Sequence, residues 1–196
     1  MNPINIPLDT FLHPLFDSGE SVCIRIFDDR KDSAFKGAKL ECEAGKINTL
    51  VEKLTQHNEQ NRGIYFVVNY GGNSDEEITR INAVFVENDN LSIEEQVTQL
   101  EGFALPPSLM VRTAKSVHAY WLVKDVEVKD FRRLQKKLIV QFDGDSACVN
   151  ESRVLRLPSF NHCKGEPVMV ECIKFAPPPR LLGNKNKAVE SVYLQT

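Results

Sequence analysis

Short apolar runs alternate with amphipathic stretches along this 196-residue chain. Ser21-Val-Cys-Ile-Arg-Ile-Phe27 is rich in β-branched residues and predicts a strand. Ile64-Tyr-Phe-Val-Val68 is nearly all apolar, the pattern of a strand covered on both faces. Further strands are predicted over Ile81 to Glu87, Ser108 to Arg112, Val117 to Val123 and Val168 to Phe175. Helical spacing sets Ile47, Leu50, Val51 and Leu54 on one face of the stretch from Lys46 to Glu59. From Val128 to Phe142 it points Phe131, Leu134 and Leu138 inward, with Arg132, Arg133, Lys136 and Lys137 outward. Ser92-Ile-Glu-Glu95 is a capping box, predicting a helix that turns Ile93, Val97 and Leu100 inward and ends at Gly102. Residues 1–20, with scattered Pro and Gly, read as an irregular lead-in. Asn69-Tyr-Gly-Gly-Asn73 reads as a loop and Pro106-Pro107 as a break. There is no internal repeat, and strands alternating with helices predict an α+β or α/β fold.

The length suits one domain, here 1–176, and a linker or tail is expected at 177–196, where Pro177-Pro-Pro179 reads as the end of the compact region and Gly183-Asn-Lys-Asn-Lys187 as a flexible linker. A hydrophobic content of 42% supports a sizeable core, and 26% charged residues without long Gly or Pro runs argue against disorder. No apolar stretch approaches the roughly 20 residues that span a bilayer, and the N-terminus lacks the pattern of a signal peptide, so no membrane association and a cytoplasmic location are expected. The five cysteines form no CxxC pair and read as free, mostly buried thiols. Cys148, His162, Cys163 and Cys172 match no common zinc spacing, so zinc is not expected there. The net charge of −3 conceals an asymmetry. From Asp75 to Glu101 eight acids face only Arg80, whereas from Arg112 to Lys164 eleven cations face six acids, so the second half can attract a polyanion.

Three segments carry candidate chemistry. In Val84-Phe-Val-Glu87-Asn-Asp89, strand alternation puts Glu87 and Asp89 on one face, and hard carboxylate oxygens there suit Mg²⁺ or Mn²⁺. The bland alternative is an acidic strand end in solvent. In Lys115-Ser116-Val-His118, alternation likewise puts Ser116 and His118 on one face, where a hydroxyl, an imidazole and a Lys can hold phosphate oxygens. The alternative is a core His satisfied by a backbone carbonyl. Asp145 opens the third segment, followed by Arg153-Val-Leu-Arg156-Leu-Pro and then Asn161-His-Cys-Lys164. Guanidinium forks suit phosphate, although a regular strand would turn Arg153 and Arg156 to opposite faces. Asn161 and Lys164 are placed in a loop that can touch a nucleic-acid backbone.

In this order the three segments resemble the archaeo-eukaryotic primase superfamily, and most closely the RepB-type primase and primase-polymerase domains of phages, plasmids and other mobile elements. The resemblance covers roughly Tyr65 to Phe175, and its last motif is the most specific. It implies an RRM-like antiparallel sheet as a catalytic core (63–176), joined to a smaller N-terminal α/β lobe (1–62). It implies that Glu87, Asp89 and Asp145 are catalytic ligands of two Mg²⁺ or Mn²⁺ ions, with Asp143 a rival for the third position. It also implies nucleotide binding by Lys115, Ser116, His118, Arg153 and Arg156, and DNA contact through Asn161, Lys164 and the basic helix residues Arg132, Arg133 and Lys136. The activity implied is template-directed nucleotidyl transfer from nucleoside triphosphates on single-stranded DNA, sometimes with a fused helicase. Two positions depart from the pattern: Glu87 stands where Asp is usual, and Ala114 where Gly is favoured. Two other readings remain open: a nucleic-acid-binding module without catalysis, and a metal-dependent nuclease using the same carboxylates.

Overall fold

Two antiparallel sheets share one hydrophobic core, with helices at their flanks and edges. The structure, a computed structural model, describes residues 1–30 and 34–177 and the backbone of 181–182. Pro178, Pro179 and the expected linker over 183–187 lie outside the described residues. The first sheet runs β2-β1-β3-β7, built from β1 (Ser21–Asp28), β2 (Ala38–Glu43), β3 (Arg62–Val67) and β7 (Val154–Arg156). The second contains β4 (Ala83–Val86), β5 (Leu109–Arg112), β6 (Val117–Lys124) and β10 (Glu171–Phe175). The short β11 (Leu181–Leu182) pairs parallel to the end of β6. A hairpin of β8 (Asn161–His162) and β9 (Val168–Met169) stands apart from both. The helices are α1 (Leu8–Leu12), α2 (Val51–Glu59), α3 (Ile93–Glu101) and α4 (Val128–Phe142).

The chain start is not the irregular lead-in expected. Leu8, Phe11, Leu12, Leu15 and Phe16 follow helical spacing and are all buried, which makes α1 and the turn after it part of the core. Phe11 packs on Phe66 of β3 and on Tyr120 of β6, so this segment joins the two sheets. Each such buried side chain contributes roughly 1.5–3 kcal/mol. The expected helix from Lys46 begins as a 3-10 turn (Ala44–Leu50) before α2 takes over. The expected strand from Val168 breaks at Val170 into β9 and β10, which serve different sheets.

Other local signals took effect as chemistry dictates. Ser92 and Glu95 form the capping box of α3 reciprocally. The apolar stripe of α4 buries Phe131, Leu134 and Leu138. Gln135, on the same helix, is fully buried, and its amide bonds both the N–H and the C=O of Phe85, satisfying the outer edge of β4. Tyr120 of β6 packs on Phe66 in the first sheet, while its neighbour Trp121 meets Phe103 and Phe142 on the opposite face. Among the described residues, no helix is long and apolar enough to cross a membrane.

Candidate active site

Strand register assembles the site. β4 and β6 pair from Ala83↔Leu122 to Val86↔Ala119, and one further step sets Glu87 beside His118. His118 Nε2 donates to Glu87 Oε2 at 2.9 Å. The Cys148 thiol reaches the other oxygen, Oε1, at 3.3 Å. Burial opposes ionisation of Glu87, but the hydrogen bond and charge of His118, the thiol and the nearby Arg153 outweigh it and hold the carboxyl at about 2. Burial and the Glu87 charge in turn push the Cys148 thiol far up.

Asp145 arrives from the loop after α4. That helix ends at Asp143 in the left-handed region (φ 48°), a conformation Asp tolerates. Gly144 then passes so close to β4 that an added Cβ would lie 2.4 Å from Val86 Cγ2. The Asp145 N–H bonds Glu87 O at 2.8 Å. Asn88, buried between the two acids of the first motif, donates to Phe142 O (2.8 Å) and Asp143 O (3.0 Å) and ties the loop down. The consequence is that Asp145, and not Asp143, lines the cavity. Glu87, Asp145 and Cys148 offer ligand atoms all within 4.8 Å of one another. Asp89 lines the same cavity outside that group.

The β5–β6 turn forms the opposite wall. Thr113 Oγ1 accepts from the N–H groups of Lys115 (3.2 Å) and Ser116 (3.0 Å). Gln96 of α3 supports the turn from behind, accepting from Val117 N (2.7 Å) and donating to Lys115 O (3.3 Å). Ala114 has no positive φ, so its side chain imposes no backbone strain here.

The cavity holds about 430 Å³ and collects Glu87, Asp89, Asp145, Lys115, Ser116, His118, Arg153, Arg156 and Lys164 on its walls. Arg156 enters it already committed. Its guanidinium makes two bonds to Asp29, at 3.0 and 2.9 Å, and lies over the Tyr65 ring, its cross-strand neighbour in the β3–β7 pairing. Gly63 makes room, since a Cβ there would stand 2.6 Å from Arg156 Nη1. Asp29, Tyr65 and His162 are wall residues that sequence reasoning did not select. Asp29 carried no signal, because its partner lies 127 positions away. His162, between Asn161 and Lys164, was in the motif itself. It is buried with neither ring nitrogen hydrogen-bonded, and burial followed by the nearby Arg156 charge lowers its pKa to about 4.

Comparisons with known proteins bear on the family and the fold. Residues 83–179 match the model of the RepB DNA-primase N-terminal domain. The primase-polymerase (PrimPol) AEP domain of cyanophage S-2L is 28% identical, with a TM-score of 0.73 over 87% of this chain and 92% of that one. This is a RepB-type, archaeo-eukaryotic primase-like domain. In fold it is also similar to primase RepB′ (18% identity, TM-score 0.71), covering 96% of this chain but 60% of that one. The catalytic domain of RepB′, solved in complex with initiator DNA, is 17% identical with a TM-score of 0.67, over 96% of this chain and 93% of that one. No curated protein sequence matches significantly.

Not every residue expected in the site of the primase-like domain lines the cavity. Asn161 is in β8, its backbone clamped at both N–H and C=O by Asn58. Arg132 bonds Glu151 and Asp75, and Arg133 bonds Asp130, so much of the basic face of α4 is neutralised by neighbours. Lys136 on that face is exposed. Cys148 does not gather with His162, Cys163 and Cys172. Among the described residues, the one group of three or more candidate metal ligands is Glu87, Asp145 and Cys148.

Proposed function

We propose that the domain is a DNA primase-polymerase, transferring nucleotides from nucleoside triphosphates onto a strand directed by single-stranded DNA, in the replication of a phage or other mobile element. The observation that carries this reading is one cavity combining three carboxylates, Glu87, Asp89 and Asp145, with Lys115, Ser116 and Arg153. The carboxylate donors fit divalent ions, and the mutual reach of Glu87 and Asp145 suits a shared one. Two Mg²⁺ or Mn²⁺ ions held by Glu87, Asp89 and Asp145 would supply activation of the attacking 3′-hydroxyl and stabilisation of the leaving pyrophosphate. His118 fixes the Glu87 carboxylate, so the longer acid is drawn back against β6 rather than left free. Lys115 and Ser116 stand on the turn that would receive the triphosphate, and Arg153 neutralises charge developing there. Lys164, exposed at the cavity, would meet the nucleic-acid backbone. The setting in this reading is the cytoplasm of a bacterial, archaeal or phage-infected cell, with a helicase fused or associated.

The test is primer extension and de novo synthesis on single-stranded DNA with Mg²⁺ or Mn²⁺. Incorporation by the wild type, abolished in the Asp89→Ala, Asp145→Ala double variant, is expected. Equal incorporation by both would sink the assignment, and template degradation on adding Mg²⁺ would instead indicate a nuclease. A second reading, a catalytically weak nucleic-acid-binding module, draws on one observation: both oxygens of Glu87 already receive protein donors. It predicts salt-dependent binding of single strands without metal-dependent triphosphate binding.

A further inference from the structure

Cys148 is fully buried, yet its sulfur faces the acids of the site. Its Sγ lies 3.3 Å from Glu87 Oε1, and the Asp145 carboxylate completes a group whose ligand atoms all lie within 4.8 Å of one another. The backbone holds this arrangement in place. Asp145 N–H bonds Glu87 O at 2.8 Å, and Cys148 N–H bonds Asp145 O at 3.0 Å, closing a turn that carries both donors to the end of β4. Asn88 anchors the same loop at two carbonyls. Two donors of the group are hard oxygens and the third is a soft sulfur.

We propose that Cys148 is a third protein ligand of the ion held by Glu87 and Asp145, and that the site therefore prefers thiophilic divalent ions such as Zn²⁺ and Cd²⁺ to Mg²⁺. The inference rests on the reading of Glu87 and Asp145 as ion ligands, and not on polymerisation. On binding, the S–H bond breaks, the sulfur donates its electron pair to the ion and the proton leaves to solvent, with no change of oxidation state. Mg²⁺ demands octahedral oxygen and dehydrates reluctantly, so it gains little from the thiolate. Borderline and soft ions gain directly, and three protein ligands with one open position form the usual arrangement of a reactive zinc site. Zn²⁺ is accordingly a competitor for the working ion. This site is distinct from the Cys148, His162, Cys163 and Cys172 set, which does not assemble.

The test titrates the full chain with Cd²⁺ and, separately, Mn²⁺ by calorimetry, following thiolate-to-cadmium charge-transfer absorbance in the ultraviolet. Wild type, Cys148→Ser, Cys148→Ala and Glu87→Gln are compared, each checked for folding by circular dichroism. The expected result is a Cd²⁺ site whose charge-transfer band is lost in both Cys148 variants. Cd²⁺ affinity falls by about tenfold or more in those variants, while Mn²⁺ affinity changes by less than about threefold. Glu87→Gln weakens both ions. The four other cysteines remain in the Cys148 variants, so an undiminished band there assigns Cd²⁺ to them and overturns the proposal. Equal losses for Cd²⁺ and Mn²⁺ overturn it too, leaving Cys148 as a residue that only positions Glu87. Nucleotide incorporation with Mg²⁺, measured in parallel, separates the two readings. An inactive wild type that still binds Cd²⁺ through Cys148 removes the polymerase and leaves the thiolate ligand, and an active wild type with no Cys148-dependent Cd²⁺ binding does the reverse.

Discussion

Removing Arg156 should damage the fold and not only the cavity wall. Its side chain and that of Asp29 are 5% and 1% exposed, and the two share a bidentate contact at 3.0 and 2.9 Å. Asp29 also accepts from Cys163 N (2.8 Å) and the Tyr65 hydroxyl (3.2 Å). Among the described residues Arg156 is the one ion-pair partner of Asp29, so Arg156→Ala leaves a buried carboxylate with two neutral donors. Breaking such a pair costs about 3–5 kcal/mol. For a chain of this size each kcal/mol corresponds to roughly 2–4 °C, so a fall in Tm on the order of 10 °C follows. Burial opposes ionisation of Asp29, but Arg156 holds its pKa below the ordinary 3.8. The stabilisation is therefore present above that value and is lost as pH falls through the lower folded value. The difference between wild type and variant should be full at neutral pH and shrink in strong acid.

Urea unfolding of wild type, Arg156→Ala, Asp29→Leu and the double variant Asp29→Leu, Arg156→Met measures this. Each single substitution strands one charge, whereas the double substitution strands none, so it should recover much of the loss. Arg153→Ala is the companion variant. Arg153 is only partly buried, and its loss should cost under about 1 kcal/mol while weakening triphosphate binding. An Arg156→Ala variant that unfolds within about 1 kcal/mol of wild type, or a double variant as unstable as the sum of the singles, would refute a stabilising buried pair.

Two further outcomes follow. The unfolded chain protonates His162 near 6.5 and the folded chain only near 4, so acidification between those values favours unfolding. His162→Asn should flatten the stability profile in that window, and an unchanged slope across pH-dependent urea melts would show that His162 is not responsible. Gly144→Ala places a Cβ 2.4 Å from Val86 Cγ2 and must push the Asp145 loop off β4. It should cost about 1–3 kcal/mol and lower nucleotide incorporation more than it lowers Tm, as primer extension beside thermal melting would reveal. Wild-type values for both would mean that the loop has room to spare.

Much of this domain was legible in the residues alone because it depends on near neighbours. The capping box at Ser92, the apolar stripe of α4 and the apolar run of β6 are each fixed by side chains within one turn or one strand. The three chemical segments were likewise readable, and the cavity includes every acid and phosphate-ready group chosen from them. What remained hidden depends on pairings between distant segments. The β4–β6 register decided that His118 would serve Glu87. The β3–β7 pairing, with Gly63 making room, gave Arg156 to Asp29 and Tyr65, so two arginines three positions apart acquired different surroundings. The loop held by Asn88 brought Cys148 up to the acids, a neighbour that spacing gave no hint of. Periodicity reports which way a side chain points relative to its own strand or helix. Which partner it then meets is settled by the burial that packs one sheet against the other, and no local pattern encodes that.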